Sequence, residues 1–159
     1  MNSFIATPAP AIASSPIDGT LTNDGFFPDV DLSALRDAMR LDGTVTRERL
    51  AHAARAAMLT VNDELSAWRA RQHAAGAASL ADVPAVQVES ESKLVYLYRR
   101  AVYHLAHADV TEKYRGFDST KSGGQVAAEL TATADESRRN ARWAISDILG
   151  ISRSTVELI

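Results

Sequence analysis

The chain has 159 residues, no cysteine and a formal net charge of -3. That length suits one domain with extensions and a sizeable core. The lack of cysteine excludes a disulfide framework, a thiolate nucleophile and a zinc–cysteine site, and the mild acidity argues against a general nucleic-acid or membrane-surface binder. No apolar run approaches the ~20 residues that span a bilayer. The start, MNSFIATPAPAIASSP, lacks a basic region and is interrupted by prolines, so no secretory signal is expected. A soluble protein follows, and the missing thiols are compatible with a reducing cytosol.

Residues 1 to 25 are rich in Ala, Pro, Ser and Thr and show no periodicity, the composition of a disordered or extended arm. The arm is drawn as 1–28, a helical domain as 29–150 and a C-terminal tail as 151–159. Pro8, Pro10, Pro16 and Pro28 precede the first predicted helix, Pro84 lies in a linker, and six of the eight glycines fall at helix boundaries. A short helix is predicted over 32–41, with Asp31 as N-cap and Leu32, Leu35 and Met39 facing inward. A second starts after Thr46, where Glu48 sits in the first turn and Val45 with Leu50 forms a hydrophobic staple. Leu50, Ala54, Ala57, Val61, Leu65 and Trp68 continue its apolar stripe until Gly76 supplies the stop, a rod of roughly 43 Å at 1.5 Å per residue.

After a connection over 77–89, a helix from Ser90 to Arg115 holds all four tyrosines of the protein. Leu94, Leu97, Tyr98, Ala101, Val102, Leu105 and Ala108 make one apolar stripe. On another side Tyr96, Tyr103, His107 and Tyr114 share a narrow arc, spaced seven, four and seven apart. Two readings fit this two-faced helix: a central bundle member touched by its own chain on both sides, or a subunit boundary on the tyrosine side. The loop GFDSTKSGG leads to a last long helix over 125–149, with Val126, Leu130, Thr133, Ala141, Ala144 and Ile148 inward. Trp143 lies off that stripe, either as a lid on the bundle edge or as an anchor for a neighbour. The fold class is therefore all-α, a bundle of three long helices plus a short N-terminal helix, with strands nearly absent.

Reactive groups do not converge. His104 and His107 are three apart, but Thr111 stands where a third metal ligand would fall, and Glu112 is offset. Gly123–Gly124 precedes a helix without the full phosphate-loop spacing or a preceding strand, and no nucleophile elbow occurs. No enzyme, metal or cofactor is expected. The C-terminus AISDILGISRSTVELI has a helix-turn-helix outline, with Gly150 at the turn and Arg153, Ser154 and Thr155 heading a recognition helix. The chain ends before such a helix could pack, and no basic flank is available to neutralise phosphates. A small DNA-binding regulator stays as the alternative function.

The motifs taken in series resemble a known family. FFPD at Phe26–Asp29, MRLDGTVTRERL at Met39–Leu50, NDEL at Asn62–Leu65 and AAGAASLADVPA at Ala74–Ala85 come in order. ESKLVYLYRRAV at Glu91–Val102, EKYRGFDST at Glu112–Thr120, RWAISDI at Arg142–Ile148 and the terminal VELI follow. Together they resemble the head completion protein family of contractile-tailed temperate phages. The resemblance implies a structural adaptor without catalytic residues, in the neck of the virion and assembled in the host cytoplasm. It implies docking as a ring, of about twelve copies to match the symmetry of the portal, on the portal of the DNA-filled head. Genome retention and preparation for tail joining go with that role. Implied partners are the portal protein, copies of the chain itself and a tail-side neck or tail-terminator protein, with DNA passing through unread and no membrane involved. Tyr96, Tyr103, His107, Tyr114 and Trp143 are then candidates for the subunit interface. Ile151, Arg153, Val156, Leu158 and Ile159 are candidates for portal docking.

Overall fold

A computed structural model describes residues 18–115 and 123–152, with the side chains of 114–115 and 123–128 outside that description. Two short strands, β1 (Thr20–Leu21) and β2 (Val30–Asp31), pair antiparallel, Thr20 opposite Asp31 and Leu21 opposite Val30. Helices α1 (Leu32–Ala38), α2 (Arg47–Glu64) and α3 (Ser66–Ala74) follow. A 3₁₀ turn at Leu80–Asp82 leads to a second hairpin, β3 (Gln87–Val88) with β4 (Glu91–Ser92). The long helices α4 (Lys93–Arg115) and α5 (Gly123–Leu149) complete the described chain. It is mostly helical, with two small hairpins in place of the expected near-absence of strands.

Local signals act where physical chemistry expects them. The Asp31 carboxylate accepts from the Ser33 and Ala34 amides at the start of α1, and Thr46 Oγ1 accepts from the Arg49 amide at the start of α2. Val45 and Leu50, the staple pair, are both buried. Gly76 and Gly150 sit at φ +99° and +71° at helix ends, a backbone region that costs glycine little.

Three expectations change. The second helix is not one rod: it breaks at Leu65, where ψ opens to -1°. No Gly or Pro marks that place. The break coincides with tertiary bonds from Asn62 and Arg69 to the N-terminal segment, while Leu65 and Trp68 both stay in the core. The first helix stops at Ala38, with Arg40 at φ +52°, short of Leu41. On α5, Thr133 faces solvent and bonds back to the Glu129 carbonyl. Ala134, Ser137 and Ile145 are buried along with Ala141, Ala144 and Ile148; Val126 lies outside the described side chains.

Residues 18–31 are fastened to the helices. Phe26 and Phe27 are buried and meet edge to face at 5.2 Å. Phe27 stacks on Tyr98 of α4 at 4.8 Å and 10°. Beside that stack a closed ring of hydrogen bonds forms. Asn23 Nδ2 donates to Tyr98 Oη at 2.8 Å, Tyr98 donates to Asn62 Oδ1 at 2.6 Å, and Asn62 Nδ2 donates to Asn23 Oδ1 at 2.9 Å. Asn23 also reaches the Pro28 carbonyl and, by its amide, Asp29. Arg69 closes the surface side, pairing with Asp24 at 2.6 Å and lying 5.5 Å from the Phe26 ring centre. Further along, fully buried Asp18 forms a two-pronged ion pair with Arg36 of α1, at 2.6 and 3.2 Å. That bond raises the Arg36 pKa above its ordinary value, with burial working against it. The Asp18 carbonyl accepts from Arg47 at 2.8 Å, joining the segment to α2 as well.

Tyr98 has no exposed surface, so its hydroxyl cannot exchange protein partners for water. Tyr98→Phe keeps the stack but leaves an Asn23 donor and an Asn62 acceptor unmatched. Denaturant unfolding should register a loss of about 1–3 kcal/mol for this substitution; an unchanged midpoint would mean that the ring of bonds contributes nothing net.

Candidate functional site

Helix α4 is the middle layer. Asn62 of α2 meets Tyr98, and on α5 Ser137 meets His107 while Arg138 pairs with Glu112. Only seven residues separate α4 from α5 and the two helices pack extensively on each other, which makes them antiparallel. The end of α5 near Leu149 accordingly returns to the start of α4. Two packed sides explain why α4 carries more apolar positions than one stripe. Val95, Ala106 and Val110 are buried beside Leu97, Tyr98, Ala101, Val102 and Ala108, whereas Leu94 and Leu105 are only half-buried.

The candidate interface residues do not share one environment. Tyr103 is half-buried and packs on the core; burial raises its phenol pKa, with Arg99 opposing. His107 is half-buried, its Nδ1 at 2.8 Å from Ser137 Oγ. Tyr96, eleven residues and about three turns from His107, is 54% exposed. The Tyr114 side chain lies outside the described ones. Trp143 is half-buried on α5 with the Arg139 guanidinium 5.3 Å from its ring centre. The docking candidate Ile151 is 57% exposed just beyond α5, while Arg153, Val156, Leu158 and Ile159 lie outside the described residues. So does the segment that would form a recognition helix; the helix before it, α5, is 27 residues long.

Other exposed apolar side chains were not signalled by periodicity. Val86 and Val88, on and beside β3, are 68% and 66% exposed. Val88, with Tyr96 and Leu97, borders a groove of about 550 Å³ between the second hairpin and the first turns of α4. The alternation in VPAVQV was the available signal, but a two-residue strand is too short to stand out from a linker.

The titratable groups on α4 are structural in setting. Among the described residues no cluster of three His, Asp or Glu could hold a metal ion. His104 is half-buried, and its Nδ1 is the one buried side-chain nitrogen or oxygen without a hydrogen-bond partner among the described residues. Burial lowers its pKa, helped by Arg100 and His107 and opposed by Glu136. Burial alone lowers that of His107. Burial thus favours the neutral form of both imidazoles, and that of His107 meets Ser137 of α5.

With folded pKa values below the unfolded value near 6.5, the unfolded chain binds protons first as pH falls. The stabilising contribution is complete above that value and is lost as pH drops through the folded pKa values. The thermal midpoint should fall as the pH is lowered below about 6.5, and His104→Leu, which removes the unmatched nitrogen, should flatten that decline. A midpoint constant over this window would show that neither imidazole is coupled to packing.

Comparison with known proteins bears on this arrangement. The family model described as phage head completion protein (GPL) matches residues 21–159. The head completion/stabilization protein of Escherichia phage P2 is 41% identical over 139 residues, covering 87% of this chain and 82% of that protein. No solved structure matches. The match begins at Leu21 in β1 and so takes in the Asn23, Phe26 and Phe27 anchor as well as both long helices. The chain belongs to the phage head completion protein family.

Proposed function

We propose that the protein is a structural adaptor that docks as a ring on the portal vertex of the DNA-filled head. There it retains the genome and prepares the head for tail joining. The observation that carries this reading is the family match across residues 21–159, together with 41% identity to a head completion/stabilization protein. The finished chain sits in the neck of the virion after assembly in the host cytoplasm. Its partners are the portal, neighbouring copies of itself and a tail-side neck protein, and the packaged DNA passes without being read. Among the described residues no helix is long and apolar enough to cross a membrane.

The surface suits a component that must be held on several sides. Tyr96 lies on α4, Trp143 on α5 and Ile151 just beyond α5, and a closed ring needs two unlike surfaces on every copy. Tyr103, His107 and Tyr114 extend the interface candidates along α4. Arg153, Val156, Leu158 and Ile159 follow exposed Ile151 in the sequence and add three aliphatic side chains and one cation, which suit a groove on the portal by strand or helix addition. Many copies engaging at once offset the entropy cost of ordering such a short tail.

Deleting Val156–Ile159 should leave the helical circular dichroism spectrum intact and abolish co-sedimentation with purified portal rings. Unchanged co-sedimentation after the deletion would remove the tail from the docking surface. If the full chain ignores portal rings and instead binds short duplexes tightly and sequence-dependently, the adaptor reading fails in favour of a DNA-binding regulator.

A further inference from the structure

Two surface hollows stand out, and they are complementary. The first is the 550 Å³ groove between the second hairpin and α4, with an apolar floor of Val88, Tyr96 and Leu97 and a rim of Glu89, Glu91 and Lys93. Its wall is held by a two-residue turn in which Glu89 and Ser90 sit at φ +49° and +65°. Turns of that kind ordinarily take Asn-Gly, and bulkier residues persist there only under restraint from their surroundings. The second hollow, of 390 Å³, lies on α5 and is lined by Asp135, Arg138, Arg139, Arg142 and Trp143. Trp143 is two positions, roughly 200° of helix, from buried Ala141 and Ile145, so it belongs to the outward side of α5.

The rims carry opposite charge. Around Trp143 there are three guanidinium groups to one carboxylate, and around the hairpin groove two carboxylates to one ammonium. Arg138 already engages Glu112 and Asp135, Arg139 engages Glu136, and Glu91 engages Arg99. Arg142 and Glu89, both exposed, have no ion-pair partner among the described residues. We propose that the Trp143 side of one copy seats in the hairpin groove of a second copy, its indole on Val88 and Tyr96 and Arg142 facing Glu89.

This rests on the ring reading given above and names the surfaces that would form the ring. A tryptophan backed by arginine and inserted into a walled apolar pocket has the make-up of an interface hot spot. The hairpin wall is already built, so little ordering is needed on contact. Donor and acceptor surfaces differ, so the association runs head to tail and either closes or propagates. A reciprocal two-fold pairing of the same contacts would instead stop at the dimer, and a double variant that cross-links no further than dimers would contradict the ring.

The chain contains no cysteine, which makes a direct test available. Glu89→Cys and Arg142→Cys are introduced together and treated with a short bis-maleimide, both on purified protein at high concentration and on DNA-filled heads. Circular dichroism melts confirm that the variants fold. The double variant should give a ladder of dimers, trimers and larger species on denaturing gels. Each single variant should give none, and adding Trp143→Ala to the double variant should cut the ladder at least tenfold. Efficient dimers from either single variant, or a ladder that survives Trp143→Ala, would overturn the pairing. So would a folded double variant that forms no ladder in both preparations. If the variant is on the heads but no ladder appears, the pairing fails and the head-completion reading stands. If wild-type chain is missing from the heads, that reading fails, and the purified protein alone decides the pairing.

Discussion

The three-way hydrogen-bond ring of Asn23, Tyr98 and Asn62 is the contact on which the rest of the arrangement depends. It joins an N-terminal segment, the end of α2 and the first turns of α4 at one buried point. A tyrosine hydroxyl buried here must keep both its donor and its acceptor capacity matched, because an unmatched buried polar group costs more than a made bond gains. That burial also pushes the Tyr98 phenol pKa far upward, keeping the group neutral and able to donate. The stack of Phe27 on the same ring sets the register of β1 and β2 against the helices, and Arg69 seals the outside. Once this corner is formed, α2 is committed to one side of α4.

The other side of α4 is taken by α5 through smaller side chains. Ala108 and Thr111 are buried on α4, and Ala134, Ser137, Ala141 and Ala144 on α5, so the two backbones approach closely. His107 with Ser137 and Glu112 with Arg138 fix the pair along its length. The bundle is thus saturated around α4. What is left for partners is its periphery: the hairpin and Tyr96 at one end, Ile151 beyond α5, and the outward side of α5 around Trp143. For a member of the head completion family, whose copies must hold to something other than themselves, this division between a closed core and separate outer surfaces suits a structural component.

Much of the helical plan was readable from local chemistry. The caps at Asp31 and Thr46, the staple of Val45 with Leu50 and the stop at Gly76 depend only on neighbours a few residues away, and they formed as such. The Leu50 to Trp68 stripe is buried throughout. What composition hid is long-range. Residues 18–31 carry no periodicity, yet Asn23 finds partners 39 and 75 positions away and Asp18 one 18 positions away, in unrelated sequence contexts. The break at Leu65 likewise has no breaker residue and reflects what Asn62 and Arg69 touch. The tyrosine arc joined residues by angle alone, and angle does not say what covers them: His107 is met by α5, Tyr103 by the core, and Tyr96 stays largely open. The family likeness was legible because it rests on the order of short motifs, several of which are these same contacts: FFPD, NDEL and LVYLY hold Phe27, Asn62 and Tyr98.

The most direct test of the account is an asymmetric cryo-electron microscopy reconstruction of DNA-filled heads that carry this protein before tails are joined. The account predicts helical density matching α2, α4 and α5, repeated around a closed ring and confined to the portal vertex. Copies spread over the capsid shell, or a portal vertex of full heads that lacks this density, would contradict it.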